Sequence, residues 1–193
     1  MAARTRSRLA IASMSVLGAL TTLGCQPGSI NSDDFGKMIG SSAGAAWVVY
    51  PDPYAGTPMA GAPNPISTTI TGTVTAWDMG GKLRLQLVVS GLPPARAFGS
   101  HLHKLACDDT KAGGHYEDNM WPAGSNANDP TYANKDNEAW LDFTTDDTGK
   151  ASPETTQNWL PRAGQAKSII IHHMATLPGG VAGAKLACLP ITF

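Results

Sequence analysis

An all-β domain, a sandwich or a barrel, is what this sequence predicts, and three observations predict it. Short runs of β-branched and apolar residues are separated by turn residues in a chain holding 21 Gly and 14 Pro. One run, KLRLQLVVS at 82–90, alternates apolar and polar side chains at the period of a strand. No segment sustains the 3.6-residue period of an amphipathic helix, and no internal repeat is visible.

The elements follow in order. Ala45-Ala46-Trp47-Val48-Val49-Tyr50, bounded by Pro51 and Pro53, reads as the first strand. Residues 68–77 are rich in Thr, Ile and Val and read as a second, with 82–90 as the third. Asp78-Met79-Gly80-Gly81 between them is a hairpin turn. Its alternation puts Leu83, Leu85, Leu87 and Val89 on one face. Later strands are predicted at 138–144, 167–173 and 186–192. Residues 104–137 form a long polar stretch with little strand propensity, and a loop of that length in a compact domain is usually functional or disordered. It carries Cys107 and His115.

Composition narrows the classes. A length of 193 residues allows one ordinary domain or two cramped ones, and 42% hydrophobic residues at a net charge of −1 disfavour disorder. With 14 basic against 15 acidic residues, nucleic-acid binding through a basic surface is disfavoured. Arg4, Arg6 and Arg8, an apolar stretch at 9–23 and Gly24-Cys25 read as a secretion signal over residues 1–24. Cys25 after Gly24 resembles the lipobox of bacterial lipoproteins, with Thr22 and Leu23 departing from the usual Leu and small residue. Two readings follow: Cys25 is lipidated and anchors the chain, or it is a lone thiol at an ordinary cleavage site. Residues 25–42 would then be a flexible polar tether. Without the signal 11 basic residues remain against 15 acidic, so the exported part is acidic, near −4. Export also favours disulfides, and Cys107 and Cys188 are the pair left once Cys25 is set aside. Their bridge would close a loop worth roughly 4–5 kcal/mol on the loop-entropy model.

The five His occupy three places: His101 and His103, His115, and His172-His173. In a strand, residues two apart share a face, so His101 and His103 can converge on one ion. The same pattern also suits two His on a solvated face, and His115 alone suits a surface loop. Of the adjacent His172 and His173 only one can face that ion. Three or four imidazoles suit copper or zinc and fit calcium or magnesium poorly.

Taken together, Ser90-Gly91-Leu92-Pro93, Gly99-Ser100-His101-Leu102-His103, Cys107 and Gly114-His115 resemble the copper-zinc superoxide dismutase family. So do Ile169-Ile170-Ile171-His172 and Ala182-Gly183-Ala184-Lys185-Leu186-Ala187-Cys188, and order and spacing agree over residues 43–193. The resemblance implies an eight-stranded Greek-key β-sandwich, immunoglobulin-like, with a long metal-site loop. It implies His101, His103, His115 and His172 as copper ligands and Cys107–Cys188 as the family disulfide.

Departures sharpen the expectation. The two further zinc-binding His that the family places between His115 and position 138 are missing, and the zinc Asp position falls near Ala139, beside Glu138. Zinc is therefore expected to be absent, as in copper-only relatives, with His115 binding copper alone or swinging free. Only 15 residues separate His172 from Cys188, so the guiding loop is short. The family's active-site Arg is Lys185 here, a flexible point charge in place of a rigid fork. It is read as attracting an anion with reduced turnover, or as a solvated surface cation.

The expected activity is conversion of superoxide to dioxygen and hydrogen peroxide outside the cytoplasm, with Lys185 and His115 catalytic, in a periplasmic or outer-envelope lipoprotein of a bacterium. The membrane would be met only through the lipid anchor, and no nucleic-acid partner is expected. The alternative is an exported copper-binding or buffering protein without turnover. A third reading is a recognition module whose surface is lined by Trp121, Trp140 and Trp159, although aromatic residues in a sandwich are more often core. Oligomeric state, the role of His173, and a substitute metal at Glu138, Asp118 or Asp136, each read as a solvated loop acid, stay open.

Overall fold

The hairpin at Asp78-Met79-Gly80-Gly81 forms as its sequence dictates. Met79 N donates to Lys82 O at 2.8 Å and Gly81 N to Asp78 Oδ1 at 2.7 Å. It joins β3 (Thr71–Asp78) to β4 (Leu83–Ser90), paired antiparallel without a break from Thr71↔Ser90 to Asp78↔Leu83. The computed structural model describes residues 36–51, 69–108 and 112–193. The expected signal at 1–24, the lipidated Cys25 and most of the tether lie outside the described residues.

Two four-stranded antiparallel sheets face each other. The first runs β1 (Lys37–Ser41), β3, β4, β8 (Glu154–Gln157). The second runs β2 (Val48–Val49), β10 (Lys185–Pro190), β9 (Ser168–His172), β6 (Ser100–His103). A two-stranded ribbon of β5 (Ala97–Phe98) and β7 (Phe143–Thr144) stands beside them. One buried cluster joins both sheets: Val74 and Ala76 of β3, Leu83, Leu85, Leu87 and Val89 of β4, Leu102 of β6, Ile169 and Ile171 of β9, and Leu186 and Leu189 of β10. Each such side chain contributes about 1.5–3 kcal/mol when fully buried. The all-β sandwich expectation holds; the described residues give ten strands rather than the eight expected.

The second sheet is covered on both faces, which explains why β9 is an unbroken Ile run rather than an alternating one. Its inner face meets the first sheet. On its outer face Ile170 and Cys188 pack with Tyr50 and Ala112. Ala112 belongs to the long loop, which the Cys107–Cys188 disulfide ties down over 81 positions of sequence. Cross-strand partners share a face, and the register pairs His101 with Ile170, Ile170 with Cys188, and His172 with Lys185. The His strands therefore present their imidazoles outward, under the loop.

Several predicted boundaries move. Residues 37–41, read as the end of a tether, form the edge strand β1 on β3, because β3 offers an unpaired edge to a chain of weak intrinsic preference. The expected strand at 45–50 shrinks to β2, against Ala187 and Cys188. The one at 138–144 keeps only β7, with isolated bridges joining Glu138 to Glu117 and Trp140 to His101. β8, whose ETTQ sequence carries no apolar signal, was not expected. At Gly99 the chain changes partners between ribbon and sheet. A Cβ there would lie 2.8 Å from Ala182 Cβ and from Thr176 Oγ1, so only glycine lets Gly99 N reach Met174 O at 2.7 Å.

Candidate metal centre

Four imidazoles meet on the outer face of the second sheet. His101, His103, His115 and His172 each offer one nitrogen within 4.8 Å of the others. β6 supplies the first two, both fully buried, and the end of β9 supplies His172. His115 comes from the loop, held beside β6 by a bridge to His103 and by Tyr116 N donating to Leu102 O at 2.7 Å. His173 points its main-chain N–H at Ala184 O, 2.8 Å away, and does not join the cluster.

The outer hydrogen bonds decide which nitrogen each ring turns inward. Gly113 O lies 3.1 Å from His103 Nδ1 and Gly183 O lies 3.2 Å from His172 Nδ1. A carbonyl only accepts, so both Nδ1 atoms carry the proton and both Nε2 atoms hold a free lone pair. Glu138 Oε2, 2.8 Å from His115 Nδ1, fixes the same tautomer there. For His101 the order is reversed. Thr176 Oγ1 donates to Asp142 Oδ1 at 2.8 Å, so it accepts from His101 Nε2 at 2.7 Å and leaves Nδ1 as the acceptor. His101 Nδ1 is buried with no hydrogen-bond partner. A buried acceptor left in this way is costly unless something electron-poor meets it.

These donors fit a metal ion. His103 Nε2 and His172 Nε2 face each other at 3.3 Å, two lone pairs with no proton between them. Two nitrogens bound at about 2.0–2.1 Å to one tetrahedral ion would lie about 3.3 Å apart. Burial holds His101, His103 and His172 neutral, as metal ligation requires. Desolvation first and then the neighbouring His115 push His172 down to about 3. The same causes, burial first and then His115 and His172, keep His101 and His103 well below the ordinary imidazole value. The donor set is all nitrogen, the set suited to copper or zinc.

Asp136 is exposed and Trp159 packs against the core, as the loop-acid and core readings have them, while Glu138 departs from expectation. Glu138 is not a solvated loop acid: it is 2% exposed, and Oε2 also accepts from Trp140 Nε1 at 2.6 Å. Trp140 therefore serves the site rather than a recognition surface, with its ring 5.7 Å from that of His101. Trp159 lies against the core and 5.6 Å from Tyr116, and Trp121 donates to Glu117 Oε1 at 3.1 Å. Asp118 is half-buried, 3.8 Å from Arg162 Nη1, while Asp136 is exposed. Lys185 is half-buried, not a solvated cation, and its Nζ donates to Gly113 O. A cavity of about 190 Å³ opens onto the cluster between Lys185, Lys104 and Trp121. Gly180 floors it at φ +70°, where a Cβ would stand 3.4 Å from Glu138 Oε2 and 3.5 Å from His115 Nδ1.

Thr176, Asp142, Gly113 and Gly183 were missed from sequence. Only Glu138 carried a signal, its place beside the expected zinc Asp position.

No protein-family model and no curated protein matches the chain. Among solved structures it is similar to the clock protein EA4, at 16% identity and a TM-score of 0.50, covering 82% of this chain and 96% of that one. It is also similar to the Cu/Zn superoxide dismutase from Brucella abortus, at 21% identity and a TM-score of 0.43, covering 62% and 86%. A mutant of the SOD-like protein from Bacillus subtilis is similar at 17% identity and a TM-score of 0.42, covering 63% and 90%. The likeness to EA4 is one of fold.

Proposed function

We propose that this chain is an exported, copper-dependent superoxide dismutase-like enzyme that converts superoxide to dioxygen and hydrogen peroxide. The observation that carries the reading is the convergence of four imidazoles whose outward nitrogens are each held, leaving four lone pairs for one ion. The motif resemblance set out from the sequence supports the choice of copper and of superoxide. Bound among His101, His103, His115 and His172, copper would supply one-electron chemistry, taking an electron from one superoxide and giving it to a second.

The chain's own groups do the rest. Gly113 O, Gly183 O and Thr176 orient three of the rings, and Asp142 holds the Thr176 hydroxyl. Glu138 accepts the hydrogen bond of His115 Nδ1–H on the side where zinc sits in copper-zinc relatives, so His115 stays ordered with no second metal. Lys185 places a cation at the wall of the cavity, where a monoanion is attracted through low dielectric. Residues 1–24 would direct export and Cys25 would anchor the chain, an address with which the Cys107–Cys188 disulfide agrees. Metal-ligand substitution tests the reading: His101→Ala with His172→Ala should abolish both stoichiometric copper binding and superoxide turnover, and activity surviving in that variant refutes it.

One observation favours copper buffering without turnover as the second reading. Lys185 commits a hydrogen bond to Gly113 O rather than pointing a rigid fork into the cavity. Stoichiometric copper binding with no superoxide consumption would select it.

A further inference from the structure

We propose that the segment 157–162 is a polar bracket that forms the metal centre before any metal binds, with Gln157 and Arg162 as its positioning residues. The inference rests on the four-imidazole reading above. The loop that carries His115 and leads to Glu138 contains no strand among its described residues, so the main-chain carbonyls that its own turns do not meet need partners from elsewhere. Three side chains of one short segment supply them. Gln157 Nε2 donates to Lys135 O and to Glu138 O, both at 3.1 Å. Trp159 Nε1 donates to Asp136 O at 3.0 Å. Arg162 donates from Nη1 to Asp118 O at 2.5 Å and from Nη2 to Glu117 O at 2.6 Å.

The grip is built from rigid parts. Gln157 ends β8 and is 4% exposed, so its amide is fixed by the first sheet rather than by the loop it holds. The Arg162 guanidinium lies 4.8 Å over the Tyr116 ring and donates from Nε to Gln165 Oε1 at 2.8 Å, while Arg162 N donates to the Tyr116 hydroxyl at 2.8 Å. Tyr116, the neighbour of His115, is thereby held at ring and hydroxyl. The two gripped stretches also hold each other. Asp118 N donates to Asn137 O at 2.9 Å, Asn119 N to Asn137 Oδ1 at 2.6 Å, and Glu117 bridges Glu138. One bracket therefore fixes both ends of the His115–Glu138 pair. Neither Gln157 nor Arg162 belongs to the imidazole cluster, so they act through the backbone that presents it.

Hydrogen exchange of the full chain in excess chelator, read by mass spectrometry, tests this. In the metal-free wild type, amides at 116–119 and 134–138 should exchange at least 100-fold more slowly than in an unstructured peptide. Gln157→Met and Arg162→Leu should each accelerate them at least tenfold, leaving 169–171 unchanged. Added copper(II) should restore the protection in each variant, with affinity about 10–100-fold below wild type. A variant that also exchanges fast at 169–171 is replaced by Arg162→Lys, which keeps the charge without the fork and carries the same expectation. Wild-type segments exchanging at the unstructured rate, or variants keeping wild-type protection, overturn the proposal. Failure of wild type to bind copper instead removes the metal reading and leaves the exchange result standing.

Discussion

Replacing Glu138 by Gln removes one charge from a pocket where the side chain is 3% exposed and where Oε2 accepts from both His115 Nδ1 at 2.8 Å and Trp140 Nε1 at 2.6 Å. The amide has one accepting oxygen, and its NH₂ group donates. Both donors meet Oε2, so an amide oxygen in that place accepts from both as a neutral group, whereas an NH₂ in that place leaves His115 Nδ1 without an acceptor, moves the proton to Nε2 and withdraws that lone pair from the cluster. A hydrogen bond to a charged group contributes about 1.5–3 kcal/mol, and a tenfold change in affinity is about 1.4 kcal/mol. Copper(II) affinity should therefore fall about 10–100-fold, the range typical for lost outer partners of metal ligands. Competition titration against a chelator of known affinity at neutral pH reads the first number. Nitrogen NMR of the metal-free protein reads the tautomer. Affinity within twofold of wild type, with His115 Nδ1 still protonated, would refute the reasoning.

Acid should destabilise the metal-free protein. Burial holds His172 down to about 3 and His101 and His103 well below 6.5, whereas in the unfolded chain each takes a proton as pH falls through about 6.5. The unfolded state then binds more protons, so stability is fully present above about 6.5 and is lost as pH falls toward about 3, at up to about 1.4 kcal/mol per pH unit for each His. Equal urea midpoints at about pH 7.5 and about pH 5 in chelator would contradict this. Cys107→Ser opens a loop closed over 81 positions and should cost about 4.5 kcal/mol in denaturant unfolding, since closure entropy grows with the logarithm of length. An unchanged midpoint would remove the disulfide from the account of stability. Thr176→Val deprives the buried His101 Nε2 of its acceptor at 2.7 Å, and should weaken copper binding about tenfold and cost the metal-free protein about 1–3 kcal/mol of stability. Wild-type affinity in that variant would show that Thr176 does not orient the ring.

What the sequence made legible was local chemistry. The β3–β4 hairpin follows from a Gly-Gly turn between periodic runs, and the inward face of β4 follows from four apolar residues at period two. His101 and His103 were legible as a pair because His-x-His in a strand shares a face, while His115 and the choice of His172 over His173 came from the motif resemblance. Elements specified by distant partners were not. β1 exists because β3 has an edge to fill, and β8 joins through Leu83↔Gln157 to Gln86↔Glu154 with no apolar signal of its own. Glu138 reads as an ordinary loop acid until the chain folds it against His115 and Trp140. Thr176 and Asp142 stand 75 and 41 residues from His101 in number, and no local spacing ties three such positions together.

The central claim is catalytic turnover at the four-imidazole site, and a superoxide decay assay at defined copper loading tests it most directly. Activity should rise linearly to one copper per chain, with one hydrogen peroxide formed for every two superoxide ions consumed. Copper bound at that stoichiometry by His101, His103, His115 and His172, with superoxide decaying no faster than in buffer, would contradict the enzyme and leave a copper carrier on the same fold.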